Sequence, residues 1–131
     1  LEVFREALLR RPHTKIKTAL LDQSLVCGFG NIYTDELLFA AKVHPERTVQ
    51  SITSDEWQRI YKNGRSILRQ AIQSGGDSMG DYRRVDGRGG NFQGFHQVYQ
   101  KEGTPCVRCG NMIEKKLIDQ RIGRYCPHCQ I

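Results

Sequence analysis

Four cysteines near the end of the sequence constrain its fold more than any other feature. They form two pairs, Cys106-Val-Arg-Cys109 and Cys126-Pro-His-Cys129, with sixteen residues between the pairs. This spacing is typical of a structural zinc site, in which each pair lies on a tight turn and the intervening chain returns as a two-stranded hairpin. Four ligands fill a tetrahedral coordination shell, so the metal stabilises structure and does not activate water. The sequence therefore predicts one structural zinc ion, bound by Cys106, Cys109, Cys126 and Cys129.

Two disulfides in a secreted protein would use the same four cysteines. That alternative would leave Cys27 as an unpaired thiol, and these residues include no apolar signal segment. We therefore favour zinc, and we interpret Cys27 as a small buried apolar residue. His128 stands between two of the ligands, where we expect a solvated turn residue.

Charge is unevenly distributed along the 131 residues, which suffice for one modest domain and a small metal-stabilised module. Of the net charge of +6, residues 1–17 carry +3, residues 18–82 carry −2 and residues 83–131 carry +5. Two basic ends suit a polyanion bound from two sides, which favours nucleic acid. An anionic membrane is disfavoured, because no basic amphipathic helix with an aromatic face and no membrane-spanning apolar run occurs. We expect a soluble intracellular protein without a membrane partner.

Apolar residues at helical spacing predict four helices. The first ends at Arg10-Arg11-Pro12, because the residue before a proline is disfavoured in the helical region. The fourth begins with a capping box formed by Thr53 and Glu56 and ends at Gly75-Gly76. Their apolar positions run over residues 1–9, 19–26, 32–41 and 57–72.

The turn Gly28-Phe29-Gly30 separates the second and third helices, and Asn31 opens the third. Asn31 makes a good N-cap and needs no other role, which the pattern alone favours. The functional alternative is a phosphate site: the glycines let the turn approach a phosphate, and free amides at the helix start bind it. Lys17, just before the first of these two helices, could close on the same phosphate.

Residues 77–93 are glycine-rich and polar, with no strong periodicity, and predict a loop. The loop is either a linker or a segment that closes over a ligand through its arginines and aromatics. A strand is predicted for Phe95–Gln100, and a hairpin with Asp119–Arg124 at its tip follows. We therefore expect a helical domain over residues 1–93 and a zinc finger over residues 94–131, with Arg121 and Arg124 on a rigid projection.

Five segments of the chain together match one known family. They are Lys17-Thr-Ala-Leu-Leu-Asp22-Gln23, Gly28-Phe-Gly-Asn31-Ile-Tyr33, Glu36-Leu-Leu-Phe39, His44-Pro45 and Arg121-Ile-Gly-Arg-Tyr-Cys126-Pro-His-Cys129-Gln130. In this order they resemble the C-terminal half of formamidopyrimidine-DNA glycosylase, from about Lys15 to Ile131. The related endonuclease VIII branch shares the layout, but Asn31-Ile-Tyr33 and the final Cys-Pro-His-Cys-Gln are more similar to the formamidopyrimidine branch.

The resemblance implies a mainly α fold, a helix-two-turn-helix domain followed by a small β-hairpin zinc finger, which together bind damaged or abasic double-stranded DNA. It implies that Lys17, Asn31 and Arg121 hold the phosphates around the flipped nucleotide, and that Gly30 belongs to the phosphate-binding turn. It also gives Arg121 a part in the final elimination step. The resemblance further implies that the loop over residues 77–93 closes over the extruded base.

The chain departs from the family at two places. It offers His13 where the family commonly carries a further basic residue, so we include His13 among the candidate DNA contacts. Family catalysis depends on an N-terminal proline amine followed by a glutamate, whereas this chain begins Leu1-Glu2-Val3. We therefore expect the missing N-terminal catalytic domain to supply the nucleophile.

The resulting hypothesis is the DNA-binding C-terminal portion of a base-excision-repair glycosylase and abasic-site lyase that acts on oxidised purines, 8-oxoguanine and formamidopyrimidines. Alone, the chain should bind DNA as a monomer without cutting it. We expect it in the bacterial cytoplasm, associated with the nucleoid. Two alternatives are a free-standing nucleic-acid-binding regulatory module without glycosylase activity and a zinc-ribbon protein-interaction domain.

Overall fold

The computed structural model describes residues 1–26, 29–73 and 96–131. Within these ranges it confirms the mainly α class with a small β-hairpin. Five predictions lie outside the described residues: the burial of Cys27, the glycine turn at Gly28, the end of the fourth helix at Gly75-Gly76, the loop over residues 77–93 and the boundary between residues 93 and 94. The elements are α1 (Glu2–Leu9), α2 (Ile16–Leu21), α3 (Asn31–Ala41), a 3-10 turn (Val49–Ser51), α4 (Ser54–Gln73), β1 (Glu114–Ile118) and β2 (Arg121–Tyr125).

The helices share one apolar core, in which α3 packs against α4. Leu37 and Leu38 of α3 are fully buried, and so is Ile60 of α4. Burial decreases along α4, from 2% exposure at Trp57 to 9% at Ile67 and 80% at Ile72. Ile72, the last apolar position predicted for the fourth helix, is therefore exposed, because the last turn of α4 extends past the core. No helix in the described ranges is long and apolar enough to cross a membrane.

The predicted capping box at the start of α4 is confirmed. The Thr53 amide donates to Glu56 Oε1 at 2.9 Å, and the Glu56 amide donates to Thr53 Oγ1 at 3.2 Å. Glu56 also receives two hydrogen bonds from the Arg47 guanidinium, at 2.9 and 3.0 Å. This exchange satisfies two backbone donors that a helix start leaves without partners.

Helix α2 begins and ends earlier than predicted, so Lys17 lies within the helix and not just before it. It ends at Leu21, because the Asp22 carboxylate accepts hydrogen bonds from the amide and the hydroxyl of Ser24, at 2.9 and 2.6 Å. Such a local turn competes with helix continuation. Leu25 and Val26, predicted within the helix, pack partly buried against the core from beyond its end.

The hairpin pairs β1 with β2 in antiparallel register, with Ile118 opposite Arg121. Only Asp119 and Gln120 form its tip, and Asp119 has a φ of 55°. The predicted tip, Asp119–Arg124, was therefore too long, since its last four residues belong to β2. Their pairing with β1 satisfies backbone groups that a longer loop would leave to solvent.

The strand predicted over Phe95–Gln100 is absent from its described part, residues 96–100. Three consecutive amides there, from Gln97 to Tyr99, donate instead to the Glu36 carboxylate of α3 at 2.7–3.0 Å. One side chain thus replaces the neighbouring strand that these amides would otherwise need. It also fixes the segment that enters the zinc finger onto α3.

A second, smaller core joins the finger to α3. Its buried members are Phe39, Val98, Cys106, Ile113 and Cys126. The Arg108 guanidinium lies 3.7 Å above the Phe39 ring and donates to the Phe39 carbonyl. The finger is therefore docked on α3, and side chains of the hairpin meet those of the helices at a defined junction.

Candidate metal centre and nucleic-acid interface

The four sulfur atoms of the cysteine pairs converge on one point. All of them lie within 4.8 Å of one another, with 3.9 Å between Cys106 and Cys129 and 3.5 Å between Cys109 and Cys126. Zinc–sulfur bonds of about 2.3 Å in a tetrahedron place sulfur atoms about 3.8 Å apart. The four cysteines predicted from the sequence therefore fit a single structural zinc ion.

Hydrogen bonds to the sulfur atoms support the centre from outside. The Asn111 side-chain amide donates to Cys109 Sγ at 3.3 Å, and the Arg108 backbone amide donates to Cys106 Sγ at 3.4 Å. Donors aimed at a thiolate stabilise its charge and fix its orientation toward the metal. Asn111 was not identified from the sequence, although a polar side chain two residues after a ligand was the available signal.

Three polar side chains meet where α3 touches the hairpin, and we call their contacts the α3–β2 junction. The Lys17 ammonium donates to Asn31 Oδ1 at 2.6 Å and to Asp35 Oδ1 at 2.7 Å. Asn31 Nδ2 donates to the Ile122 carbonyl at 3.2 Å, and the Arg124 amide donates to Asp35 Oδ2 at 3.2 Å. Two side chains of α3 therefore hold β2 at two alternate residues, and Lys17 of α2 binds both of them.

Gly123 allows this close approach. A Cβ atom at Gly123 would lie 2.7 Å from Cδ1 of Ile118 and 3.2 Å from Cδ of Lys17. Both contacts are shorter than ordinary van der Waals distances between carbon atoms. The missing side chain thus lets β2 lie directly against the Lys17 stem.

Burial opposes both charges of the Lys17–Asp35 pair, whose side chains are 0% exposed. Desolvation raises the pKa of Asp35 to about 6, against the attraction of Lys17. Desolvation likewise lowers the pKa of Lys17, with Asp35 opposing the shift and the nearby charges of Arg121 and Arg124 adding to it. At neutral pH the Asp35 carboxylate is therefore ionised, and Lys17 is its direct counter-ion.

Asn31 opens α3 as predicted, but the interpretation of its side chain as the N-cap was wrong. Gly30 is the N-cap residue, and no side chain caps the helix. The Asn31 amide is unavailable for capping, because it reaches away from its own helix start to Lys17 and to β2. Gly30 is exposed, and a Cβ there would meet nothing within 4 Å. Its predicted place in a phosphate-binding turn stays a prediction.

The structure brings three of the predicted DNA contacts together, Lys17, Asn31 and Arg121. Arg121 is exposed at the first position of β2, next to the residue that Asn31 binds. Lys17 is 0% exposed, and its direct phosphate contact stays a prediction, since the ammonium would have to exchange a partner. His13 is exposed between α1 and α2, and among the described residues no hydrogen bond joins it to the junction.

A cleft of about 460 Å³ lies beside Arg121, between α2 and the hairpin tip. It is bordered by Thr18 and Asp22 on one side and by Ile118 and Asp119 on the other. The Thr18 hydroxyl donates to the Asp119 carboxylate, and Lys15 lies 3.4 Å from the same group. These contacts hold the tip of the hairpin against α2, so the base of Arg121 has a fixed position.

Sequence reasoning missed Asp35, and it named Glu36 only within a segment that matches the family. Both are buried, at 1% and 4% exposure, and both bind the finger or the segment that leads into it. One signal was available: Asp35 lies four residues after Asn31, so the two polar side chains share one face of α3.

Comparison with known families identifies both parts of the chain. A family model described as the formamidopyrimidine-DNA glycosylase H2TH domain matches residues 1–83, and one described as the zinc finger found in FPG and IleRS matches residues 103–131. The first match covers more than half of the chain.

Relatives match over nearly the whole chain. The formamidopyrimidine-DNA glycosylase of Pelotomaculum thermopropionicum is 44% identical over 127 residues, which are 97% of this chain and 46% of that protein. The protein of the same description from Streptococcus pneumoniae strain R6 is 45% identical over 130 residues, covering 99% of this chain and 47% of its own length. The chain thus spans about half the length of the curated relatives it matches.

Two solved structures show the same fold. The MutM (Fpg) protein of Thermus thermophilus superimposes with a TM-score of 0.90 at 40% identity, covering 98% of this chain and 49% of that one. Lactococcus lactis Fpg, in a complex with DNA that contains an abasic site, gives a TM-score of 0.88 at 39% identity, covering 99% and 46%.

Proposed function

The chain belongs to the formamidopyrimidine-DNA glycosylase family, and from that membership we propose that it binds duplex DNA at a damaged or abasic nucleotide. In the whole protein, we propose, an N-terminal catalytic domain supplies the nucleophile, and the enzyme acts as a glycosylase and abasic-site lyase on oxidised purines, 8-oxoguanine and formamidopyrimidines. A free-standing regulatory module is less well supported, because the relatives that match almost the whole chain are glycosylases. The role of the zinc ion is structural.

One observation carries the proposal: the 3.2 Å hydrogen bond from Asn31 Nδ2 to the Ile122 carbonyl. It ties the start of α3 to the residue next to Arg121, so the Asn31 amide lies beside the strand position that carries the Arg121 side chain. A primary amide has two N–H donors, and this bond uses one of them. The second, together with the backbone amides of the first turn of α3, suits a phosphate oxygen.

Arg121 adds a charged contact on the hairpin side of the junction. A guanidinium offers several N–H donors in a planar arrangement that matches a phosphate. Contacts to phosphates fix register and orientation on the duplex without reading its sequence. Extruding a nucleotide costs a few kcal/mol, and rigid phosphate contacts on both sides of it offset that cost. We propose that Asn31 and Arg121 serve this purpose, and that Arg121 also assists the elimination step.

We expect Arg121→Ala to weaken binding to a duplex with a tetrahydrofuran abasic analogue by about 1–3 kcal/mol, the range for hydrogen bonds to charged groups. The slope of log affinity against log salt concentration should become shallower by about 0.9, the value for one phosphate contact. Fluorescence anisotropy over a salt series measures both quantities.

Arg69→Ala is the matched control, since Arg69 is an exposed arginine on α4. It should leave both quantities unchanged, and both variants should keep the wild-type melting temperature. An unchanged affinity for Arg121→Ala would contradict the assignment. A loss of melting temperature that matches the loss of affinity would make Arg121 a structural residue.

We also propose that these 131 residues bind the abasic site as a monomer and that the protein is located in the bacterial cytoplasm. We further propose that these residues alone do not cleave the abasic site. The family nucleophile is an N-terminal proline amine, and the four prolines of this sequence all lie within the chain. Borohydride reduction in the presence of an abasic duplex should therefore trap no covalent adduct under conditions where binding is saturated. A trapped adduct would assign lyase chemistry to an amine of this chain.

A further inference from the structure

We propose that Asp35 is a positioning residue for DNA binding, whose carboxylate joins α3 to β2 and thereby fixes Asn31 relative to Arg121. The inference rests on the proposed function, because Asn31 and Arg121 matter to DNA only if the chain binds it. Asp35 itself does not touch the DNA in this proposal. It acts through the residues that do.

The geometry assigns a different element to each oxygen of the Asp35 carboxylate. Oδ1 receives the Lys17 ammonium of α2 at 2.7 Å, and Oδ2 receives the Arg124 backbone amide of β2 at 3.2 Å. The Asp35 side chain is 0% exposed, so water does not compete for either oxygen. One carboxylate thus holds together α2, α3 and β2.

The contact with Lys17 determines how the Asn31 amide is oriented. Lys17 divides its donors between Asp35 and Asn31, so the Asn31 carbonyl oxygen faces the ammonium. The NH₂ group of Asn31 then faces the opposite way, toward the Ile122 carbonyl. Without the Asp35 charge, the ammonium would keep only the Asn31 carbonyl oxygen as a partner among the contacts described, and no buried carboxylate would hold it in this place. The Asn31 amide would then lose the fixed partner that orients it.

The contact with Arg124 determines how β2 is oriented. Asn31 holds the strand at Ile122, and Asp35 holds it two residues further on at Arg124. Two attachments on one strand fix both its distance from α3 and its rotation about its own axis. The rotation sets the direction in which the Arg121 side chain leaves the strand, since alternate residues point to opposite faces.

The charged groups that face Asp35 are Lys17 from α2 and Arg124 from β2, with Arg121 acting on it through Lys17. All three are cations. Burial raises the pKa of Asp35 to about 6, so the group is a carboxylate at pH 7.5, where the test should be made. An amide at this position has a single acceptor oxygen, so it can serve the Lys17 ammonium or the Arg124 N–H but turns a donor toward the other.

Asp35→Asn tests the proposal in a binding experiment with the tetrahydrofuran duplex at pH 7.5. We expect its affinity to fall about tenfold, while zinc content and Trp57 fluorescence stay at their wild-type values. Asp55→Asn is the matched control, because it makes the same change of charge at an exposed position of α4 and should leave affinity unchanged.

A double variant distinguishes a positioning role of Asp35 from a general loss of fold stability. If Asp35 acts by placing Asn31 and Arg121, then Asp35→Asn combined with Arg121→Ala should lose less affinity than the product of the two single losses. Losses that multiply, or an Asp35→Asn variant that binds like the wild type, would overturn the proposal. A wild-type chain that does not bind the duplex would instead remove the proposed function, so the two failures are distinguishable.

If Asp35→Asn does not fold, the pair variant Lys17→Met with Asp35→Leu replaces it. Exchanging both members of a buried ion pair for apolar residues leaves no uncompensated charge and is often tolerated. Its loss of affinity should likewise be less than multiplicative with that of Arg121→Ala. Wild-type affinity, or a fully multiplicative loss, would overturn the proposal.

Discussion

Removal of the zinc ion should unfold the hairpin and abolish binding to the abasic duplex, while α1 to α4 remain largely helical. The finger has little core of its own: apart from the cysteines, its cluster holds Val98 and Ile113 packed on Phe39. In finger peptides, zinc binding provides about 10–16 kcal/mol, and metal binding and folding form one equilibrium. Since β2 carries Arg121, loss of the hairpin also removes the guanidinium from the proposed interface.

The variant Cys109→Ser tests the same prediction by removing one of the four zinc ligands. Zinc content should fall to zero, far-UV circular dichroism should keep most of its helical signal, and affinity for DNA should be lost. The helical signal persists because the larger core consists of residues outside the finger. His128→Ala is the control, as His128 is exposed between two ligands and should keep the metal. Full zinc content in Cys109→Ser, or undiminished binding after chelation, would contradict the prediction.

Lys17→Met should have the largest effect on the free energy of unfolding, about 3–5 kcal/mol at pH 8, the cost of breaking a buried ion pair by removing one partner. Methionine fills the space of the lysine stem but leaves the Asp35 carboxylate buried without its counter-ion. Only the Arg124 amide would remain as its partner among the contacts described. Urea denaturation, followed by the fluorescence of Trp57, measures the loss.

This destabilisation should be smaller at pH 5 than at pH 8. The pKa of Asp35 is raised by burial to about 6 in the folded chain, above its ordinary value of 3.8. Removal of Lys17 raises it further, because the attraction of Lys17 acts to lower it. A group whose pKa is raised in the folded state contributes stability below its ordinary pKa, and it loses that contribution as pH rises through the folded-state pKa. Because the folded-state pKa of Asp35 is higher in Lys17→Met than in the wild type, the variant loses more stability than the wild type between pH 5 and pH 8.

Lys15→Met is the control, since Lys15 forms looser pairs with Glu46 and Asp119, at 3.6 and 3.4 Å, and its side chain is 35% exposed. Exposed pairs contribute at most about 1 kcal/mol, so this variant should change little. Equal losses for Lys15→Met and Lys17→Met would contradict the interpretation. So would a Lys17→Met loss that is the same at pH 5 and pH 8.

The features that could be predicted from the sequence are those that neighbouring residues determine. The zinc site follows from two short cysteine spacings, because a tight turn aims both sulfurs at one point. The start of α4 follows from Thr53 and Glu56, which satisfy each other's backbone amides three residues apart. The resemblance to a known family extended these local signals to the fold and to the candidate site.

The features that could not be predicted depend on partners distant in the chain. Glu36 binds amides more than 60 residues later, so nothing near residues 96–100 showed that a carboxylate would take the place of a strand. Asp35 meets the Arg124 amide across 89 residues. Asn31 had the ordinary pattern of an N-cap, and only the approach of β2 and Lys17 draws its side chain elsewhere.

The measurement that tests the central claim most directly is a titration of the ¹⁵N-labelled chain with the tetrahydrofuran duplex, followed by amide NMR spectra. The largest shifts should fall on Asn31, Ile32 and the β2 residues from Arg121 to Arg124. Amides on the exposed basic face of α4, at Lys62, Arg65 and Arg69, should be unaffected. Chemical-shift changes centred on that face of α4, without changes at the α3–β2 junction, would contradict the proposed interface.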